Sequence, residues 1–149
     1  MNCLQCGVGK LKPTTSSEIP GEFRDFKTTV TMPALECSNC GYVTIRGEDM
    51  ATFMTLVSDK FREQAGLLTS KEIRDRRAGL KLTQEAFAGY LGVGVASIKR
   101  WELGQVQDEA MDQLIRLKTN PDEAMRNYCE VASRVGVLPI DRFHSEPIL

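Results

Sequence analysis

The sequence predicts an α+β chain, a small β-rich module built around four cysteines followed by an all-helical unit, and three observations predict it. Two Cys-x-x-Cys-Gly segments, Cys3-Leu4-Gln5-Cys6-Gly7 and Cys37-Ser38-Asn39-Cys40-Gly41, bracket the N-terminal part. Phe23 to Val30, then Tyr42 to Ile45, carry the aromatic and β-branched residues of strands. From Glu48 the apolar period becomes helical.

The chain has 149 residues, 42% hydrophobic and 26% charged, a globular balance that excludes a disordered protein. No run approaches the ~20 apolar residues of a membrane span. Met1-Asn2-Cys3-Leu4 has no basic region followed by an apolar core, so a cytoplasmic protein without membrane contact is expected. Cytosolic thiols stay reduced, so paired cysteines point to metal rather than disulfides. The net charge is -1, but residues 70–104 hold seven Lys/Arg against four Asp/Glu. A local basic face in an acidic chain is compatible with nucleic acid and predicts reliance on specific contacts.

Taken in order, residues 1–46 form the β-rich module, with Gly7, Gly9, Pro13, Pro20 and Gly21 breaking its early part into turns and Pro33 interrupting or ending the strand from Phe23. Residues 47–69 form a linking helix whose stripe is Met50, Phe53, Met54, Val57 and Phe61, stopping at Gly66. Residues 70–135 form the helical unit. Thr69 to Glu72 is a capping box. Thr83 opens a helix to about Tyr90, and a helix from Val95 to Leu103 ends at Gly104. Asp108 caps the next, and Asn120-Pro121 opens the last. Residues 136–149, with the chain's one histidine, His144, form a tail.

Each Cys-x-x-Cys spacing lets two thiolates reach one ion from a tight turn, and the following glycine allows the positive φ such a turn needs. Cys3, Cys6, Cys37 and Cys40 make a closed tetrahedral sulfur site for one structural zinc per chain, with no position left for a reactive water. A rubredoxin-like iron site shares the double motif and stays open as an alternative. Cys129 lies on an apolar helical stripe and is read as packing. No nucleophile–base pair or phosphate-cradling loop is recognisable, so no enzyme is expected.

In Leu82–Gly104, Thr83 caps the first helix and Ala86 and Phe87 bury against the second, whose core face is Ile98 and Trp101. Ser97, Lys99 and Arg100 point elsewhere, as groove-reading side chains do. The run L-T-Q-E-A-F-A-G-Y-L-G, continued by I-K-R-W-E-L-G, resembles the lambda-repressor-like (Xre-type) helix-turn-helix. The resemblance implies that Gln84 contacts phosphate or supports the recognition helix and that Ser97, Lys99 and Arg100 contact bases or phosphates. Arg100 is the candidate for a bidentate contact to guanine. Gly94 stands where that family usually has Ser or Thr, so the recognition helix lacks that cap. Arg74, Arg76 and Arg77 are weaker candidates.

Two cysteine knuckles, a linking helix and an Xre-type unit together resemble the MqsA (YgiT-type) antitoxin family over roughly residues 1–118. The resemblance implies a zinc domain that binds a toxin. It also implies a homodimeric helix-turn-helix domain that represses its operon at a palindromic double-stranded operator. In that family a Phe-Arg pair of the zinc domain helps hold DNA, which implies the same for Phe23 and Arg24; strand packing is the other reading of Phe23. Ala96 stands where the family has a base-reading asparagine, which implies a different operator. The acidic C-terminal helices are expected to supply the dimer contact, because Met111, Leu114, Ile115, Met125 and Tyr128 exceed what a minimal core needs. A stand-alone regulator without a toxin remains the alternative.

Overall fold

Strand β1 (Leu11–Phe23) turns back at Arg24 and Asp25 into β2 (Phe26–Cys37), and the short β3 (Val43–Thr44) pairs with the other edge of β2, giving an antiparallel sheet of order β1-β2-β3. The computed structural model describes residues 1–137, so most of the expected tail, including His144, lies outside the described residues. Among the described residues six α-helices follow the sheet, and the fold is α+β.

The hairpin corrects the sequence reading in three places. Phe23 to Val30 is not one strand: Phe23 closes β1 and Phe26 opens β2, facing each other across a two-residue turn. Pro13, Pro20 and Gly21 lie inside β1 rather than breaking it. β1 is an outer strand, where a missing N–H that points away from β2 removes no ladder bond. Pro33 neither interrupts nor ends β2. It lies opposite the register shift between Thr14 and Ser17, and β3 pairs only with Leu35 and Glu36, so no neighbour requires its N–H.

A 3-10 turn (Gly47–Asp49) leads into α1 (Met50–Ala65), which lies on one face of the sheet. Its Phe53, Leu56 and Val57 pack with Ile19, Val30, Met32 and Ala34. Met50 and Met54, expected on the buried stripe, stay 47% and 46% exposed. The inward face is rotated toward Leu56 because Val57 seats on Gly21. A Cβ there would meet Val57 Cγ2 at 2.4 Å, so glycine lets the helix touch the strand backbone. Gly66 ends α1 with φ 72, the left-handed close a glycine supplies without strain.

The remaining helices are α2 (Ser70–Gly79), α3 (Gln84–Leu91), α4 (Val95–Glu102), α5 (Glu109–Thr119) and α6 (Pro121–Val135). Their starts follow the sequence. Thr69 and Glu72 form the capping box, the Thr83 and Asp108 side chains accept from Ala86 N and Met111 N, and Asn120 caps α6. Gly94 gives α4 no side-chain cap, as its sequence implied.

A second core gathers Leu68, Ile73, Phe87, Ala88, Leu91, Ile98, Trp101 and Ile115. Each large side chain fully buried here contributes about 1.5–3 kcal/mol. Ala86 is exposed, not buried, because Phe87 takes the inward position on α3. Ile115 is fully buried, and Met111 and Leu114 pack against the same core. Those three are therefore not surplus; on α6 Tyr128, Val131 and Val135 stay outward and Met125 is half-buried. Among the described residues no helix is long and apolar enough to cross a membrane.

Candidate functional site

The two knuckles fold the same way. Gly7 N donates to Cys3 O at 2.9 Å and Gly41 N to Cys37 O at 3.1 Å, and both glycines carry positive φ, 70 and 71. Cys3 N donates to Gly9 O and Cys37 N to Tyr42 O, each closing its loop. The four sulfurs of Cys3, Cys6, Cys37 and Cys40 all lie within 4.8 Å of one another, close enough to bind one metal ion. Two cross-knuckle pairs, Cys3–Cys40 and Cys6–Cys37, are each 3.7 Å apart. A tetrahedron with metal–sulfur bonds of about 2.3 Å has edges of about 3.8 Å, so the spacing fits.

The electrostatics fit as well. The backbone N–H groups of Gly9 and Val8 lower the Cys6 thiol to about 6. Those of Cys40 and Asn39 lower Cys37. Against the lowering pull of the Tyr42 backbone, desolvation and three neighbouring thiols push Cys40 up to about 12. Four thiolates gathered this closely carry the concentrated negative charge that a divalent ion balances. Cys129 is half-buried on α6 and takes no part.

Gly9 sets how closely the knuckles approach. A Cβ there would lie 2.4 Å from Cys37 Sγ and 2.7 Å from Asn39 Cβ. Gly9→Ala is therefore expected to lower metal affinity about 10–100-fold, the range for losing support around ligands. Gly47→Ala, which meets nothing within 4 Å, is expected to leave it unchanged. Competition against a coloured chelator measures both.

The second group of residues lies on α3, α4 and the hairpin tip. Ile98 and Trp101 face the core, which turns Lys99 and Arg100 outward and leaves Ser97 half-buried. Arg100 Nη2 is 3.5 Å from Ser97 Oγ, and Lys99 Nζ is 4.0 Å from Glu85 Oε1 across the turn. Gln84 does not face outward: its amide donates to Glu102 Oε2 at 2.8 Å, bracing α4. Arg24 holds φ 54 at a hairpin position that glycine usually takes. Its guanidinium stacks 5.2 Å from the Phe23 ring and 5.5 Å from Phe61. Phe23 itself packs on Phe61 at 5.0 Å and on the sheet core. Arg24 and Ser97 line one cleft of about 650 Å³, so the hairpin tip and α4 share a surface.

The sequence did not reveal that the other arginines are engaged inside the fold. Arg74 donates to Glu102 O, Arg76 to Thr119 and Glu123, and Arg77 forks onto the Glu102 carboxylate. Burial alone would raise the Glu102 carboxyl; the Arg77 and Gln84 hydrogen bonds overcome it and hold it below the ordinary carboxylate range. Nothing in the local pattern of α2 distinguishes such arginines from a basic surface.

A comparison with curated proteins returns no match. The family described as the antitoxin component of bacterial toxin-antitoxin systems, MqsA, matches residues 1–125, which takes in both knuckles, α1 and the helices through the start of α6. With the match covering that much of its length, the chain belongs to the MqsA antitoxin family.

Proposed function

We propose that the protein is a cytoplasmic antitoxin that binds its toxin through a zinc module and represses its own operon by reading an operator with α4. The observation that carries the DNA reading is the division of α4: Ile98 and Trp101 inward, Lys99 and Arg100 outward, on a helix joined to α3 by a tight turn. Arg24, on the same surface, adds a contact from the metal-bearing part. Zinc held by Cys3, Cys6, Cys37 and Cys40 supplies a cross-link between the knuckles. The four cysteines supply the N–H-supported thiolates that keep it. Two chains bind a palindrome, and the outward Tyr128, Val131 and Val135 of α6 support that assembly.

The test is fluorescence anisotropy on the protein's own upstream DNA against a scrambled duplex at equal salt. Tight binding to the native duplex alone, two chains per site, is expected. Arg100→Ala is expected to cost about 1–3 kcal/mol of specific affinity. Equal weak binding to both duplexes would overturn the reading, and an unchanged affinity in the variant would remove Arg100 from it.

A further inference from the structure

The end of α4 is held from outside its own unit. Arg62, on α1, is fully buried. Its Nη2 donates to Trp101 O at 3.1 Å and to Gln105 O at 2.5 Å, its Nε to Gln107 Oε1 at 3.1 Å, and its Nη1 to Asp59 Oδ1 at 2.6 Å. Two turns earlier on α1, the Thr55 hydroxyl donates to Leu103 O at 2.9 Å, a proton it shares with Ala51 O. Arg74 of α2 takes the carbonyl between, Glu102 O, at 2.9 Å. The last carbonyls of a helix have no partner within it, and here three in succession are met by side chains, two of them from α1. The cation also lies at the negative end of the helix dipole.

Close approach makes this possible. Gly104 has φ 105, and a Cβ on it would lie 2.9 Å from Thr55 Cα, so α1 rests directly on the chain leaving α4. The opposite face of α1 carries Phe53, Leu56 and Val57 into the sheet. The segment after α1 is tied down as well: Leu68 N donates to Asp112, Leu68 O accepts from Gln107, and Ser70 N donates to Asp59.

We infer that Arg62 and Thr55 are positioning residues for operator reading: α1 caps the C-terminal end of α4 and so fixes the recognition helix to the metal-bearing sheet. The cap matters because α4 has only eight residues and no side-chain cap at Gly94. Its orientation then depends on its far end, and a shift there moves Ser97, Lys99 and Arg100 against the bases. This rests on the reading of α4 as the DNA-reading helix, but its structural part can be measured without DNA.

The experiment compares the full-length wild type with Arg62→Lys and Thr55→Val, by hydrogen exchange and by anisotropy on operator and scrambled duplexes. Faster exchange at the amides of Leu103, Gly104 and Gln105 is expected, with protection of α2 and α3 retained. Operator affinity is expected to fall about tenfold, the effect of losing one charged hydrogen bond. Scrambled-duplex affinity is expected to stay the same. If Arg62→Lys fails to fold, Thr55→Val reads the same end of the helix. Unchanged exchange at Leu103–Gln105, or faster exchange with unchanged operator affinity, overturns the inference. If the wild type itself shows no operator preference, the DNA reading of α4 fails, and exchange alone decides whether α1 caps α4.

Discussion

Cys37→Ser is expected to abolish stoichiometric metal binding and unfold residues 1–46 while residues 70–118 stay folded. The expected effect is the largest for any single substitution in the chain. A structural zinc site supplies about 10–16 kcal/mol of apparent binding free energy, and in a module this small that is folding free energy. Serine offers a neutral hydroxyl where the site needs a soft, ionised sulfur. Cys37 is also buried, ends β2, pairs with Leu11 and accepts from Asn39 N, so the change strikes the sheet and the knuckle together. What remains is a five-residue core of Ile19, Val30, Met32, Ala34 and Val57, too little to order a long hairpin alone. The helical core shares none of these residues. Metal content per chain and residue-resolved hydrogen exchange measure the outcome. Full metal occupancy in the variant would remove Cys37 from the ligand set. Loss of protection across both cores in one step would show that α1 joins them into one cooperative unit.

What the sequence made legible follows local chemistry. The cysteine spacing and the glycine behind each knuckle appear as predicted because both are set within five residues. The starts of α2, α3, α5 and α6 were readable from Thr69, Thr83, Asp108 and Asn120, since a cap acts on N–H groups two or three residues away. The failures lie where a distant neighbour decides. Pro13, Pro20 and Pro33 look like breakers until the first two are seen on an outer strand and the third opposite a register shift, places where a sheet tolerates proline. Gly21 looks like a turn residue until Val57 is seen against it. Arg62 and Arg77 look like surface charge, and only the packed structure shows that each closes a set of carbonyls or a carboxylate. In the candidate site the outward Lys99 and Arg100 were legible from helical periodicity, whereas the inward use of Gln84 depended on where Glu102 falls.

Arg77→Met is expected to destabilise the helical unit by about 3–5 kcal/mol, because it leaves a buried carboxylate without its counter-charge. Glu102 is only 4% exposed. Arg77 holds both of its oxygens, Nε to Oε1 at 2.6 Å and Nη2 to Oε2 at 3.1 Å, and the same guanidinium reaches Leu82 O at 2.9 Å. One fork thus ties α2 to the end of α4 and to the turn before α3. The pH dependence separates charge from packing. In the wild type the Glu102 carboxyl lies below its ordinary value, so its contribution is present above the unfolded carboxylate range and is lost as pH falls through the lower folded value. Without Arg77, burial is opposed only by the Gln84 hydrogen bond and the Arg74 charge, so that carboxyl is expected to rise from its wild-type position. The variant should then gain stability, relative to wild type, as pH falls from 7 into the carboxylate range. Denaturant melts of both proteins between pH 7 and pH 4 measure the gap, which should narrow with acid. Glu102→Gln in the Arg77→Met background should recover part of the loss at pH 7, since it removes the stranded charge and keeps the side chain's volume. A gap of constant size across that range would assign the loss to the packed stem of Arg77 instead of to its charge.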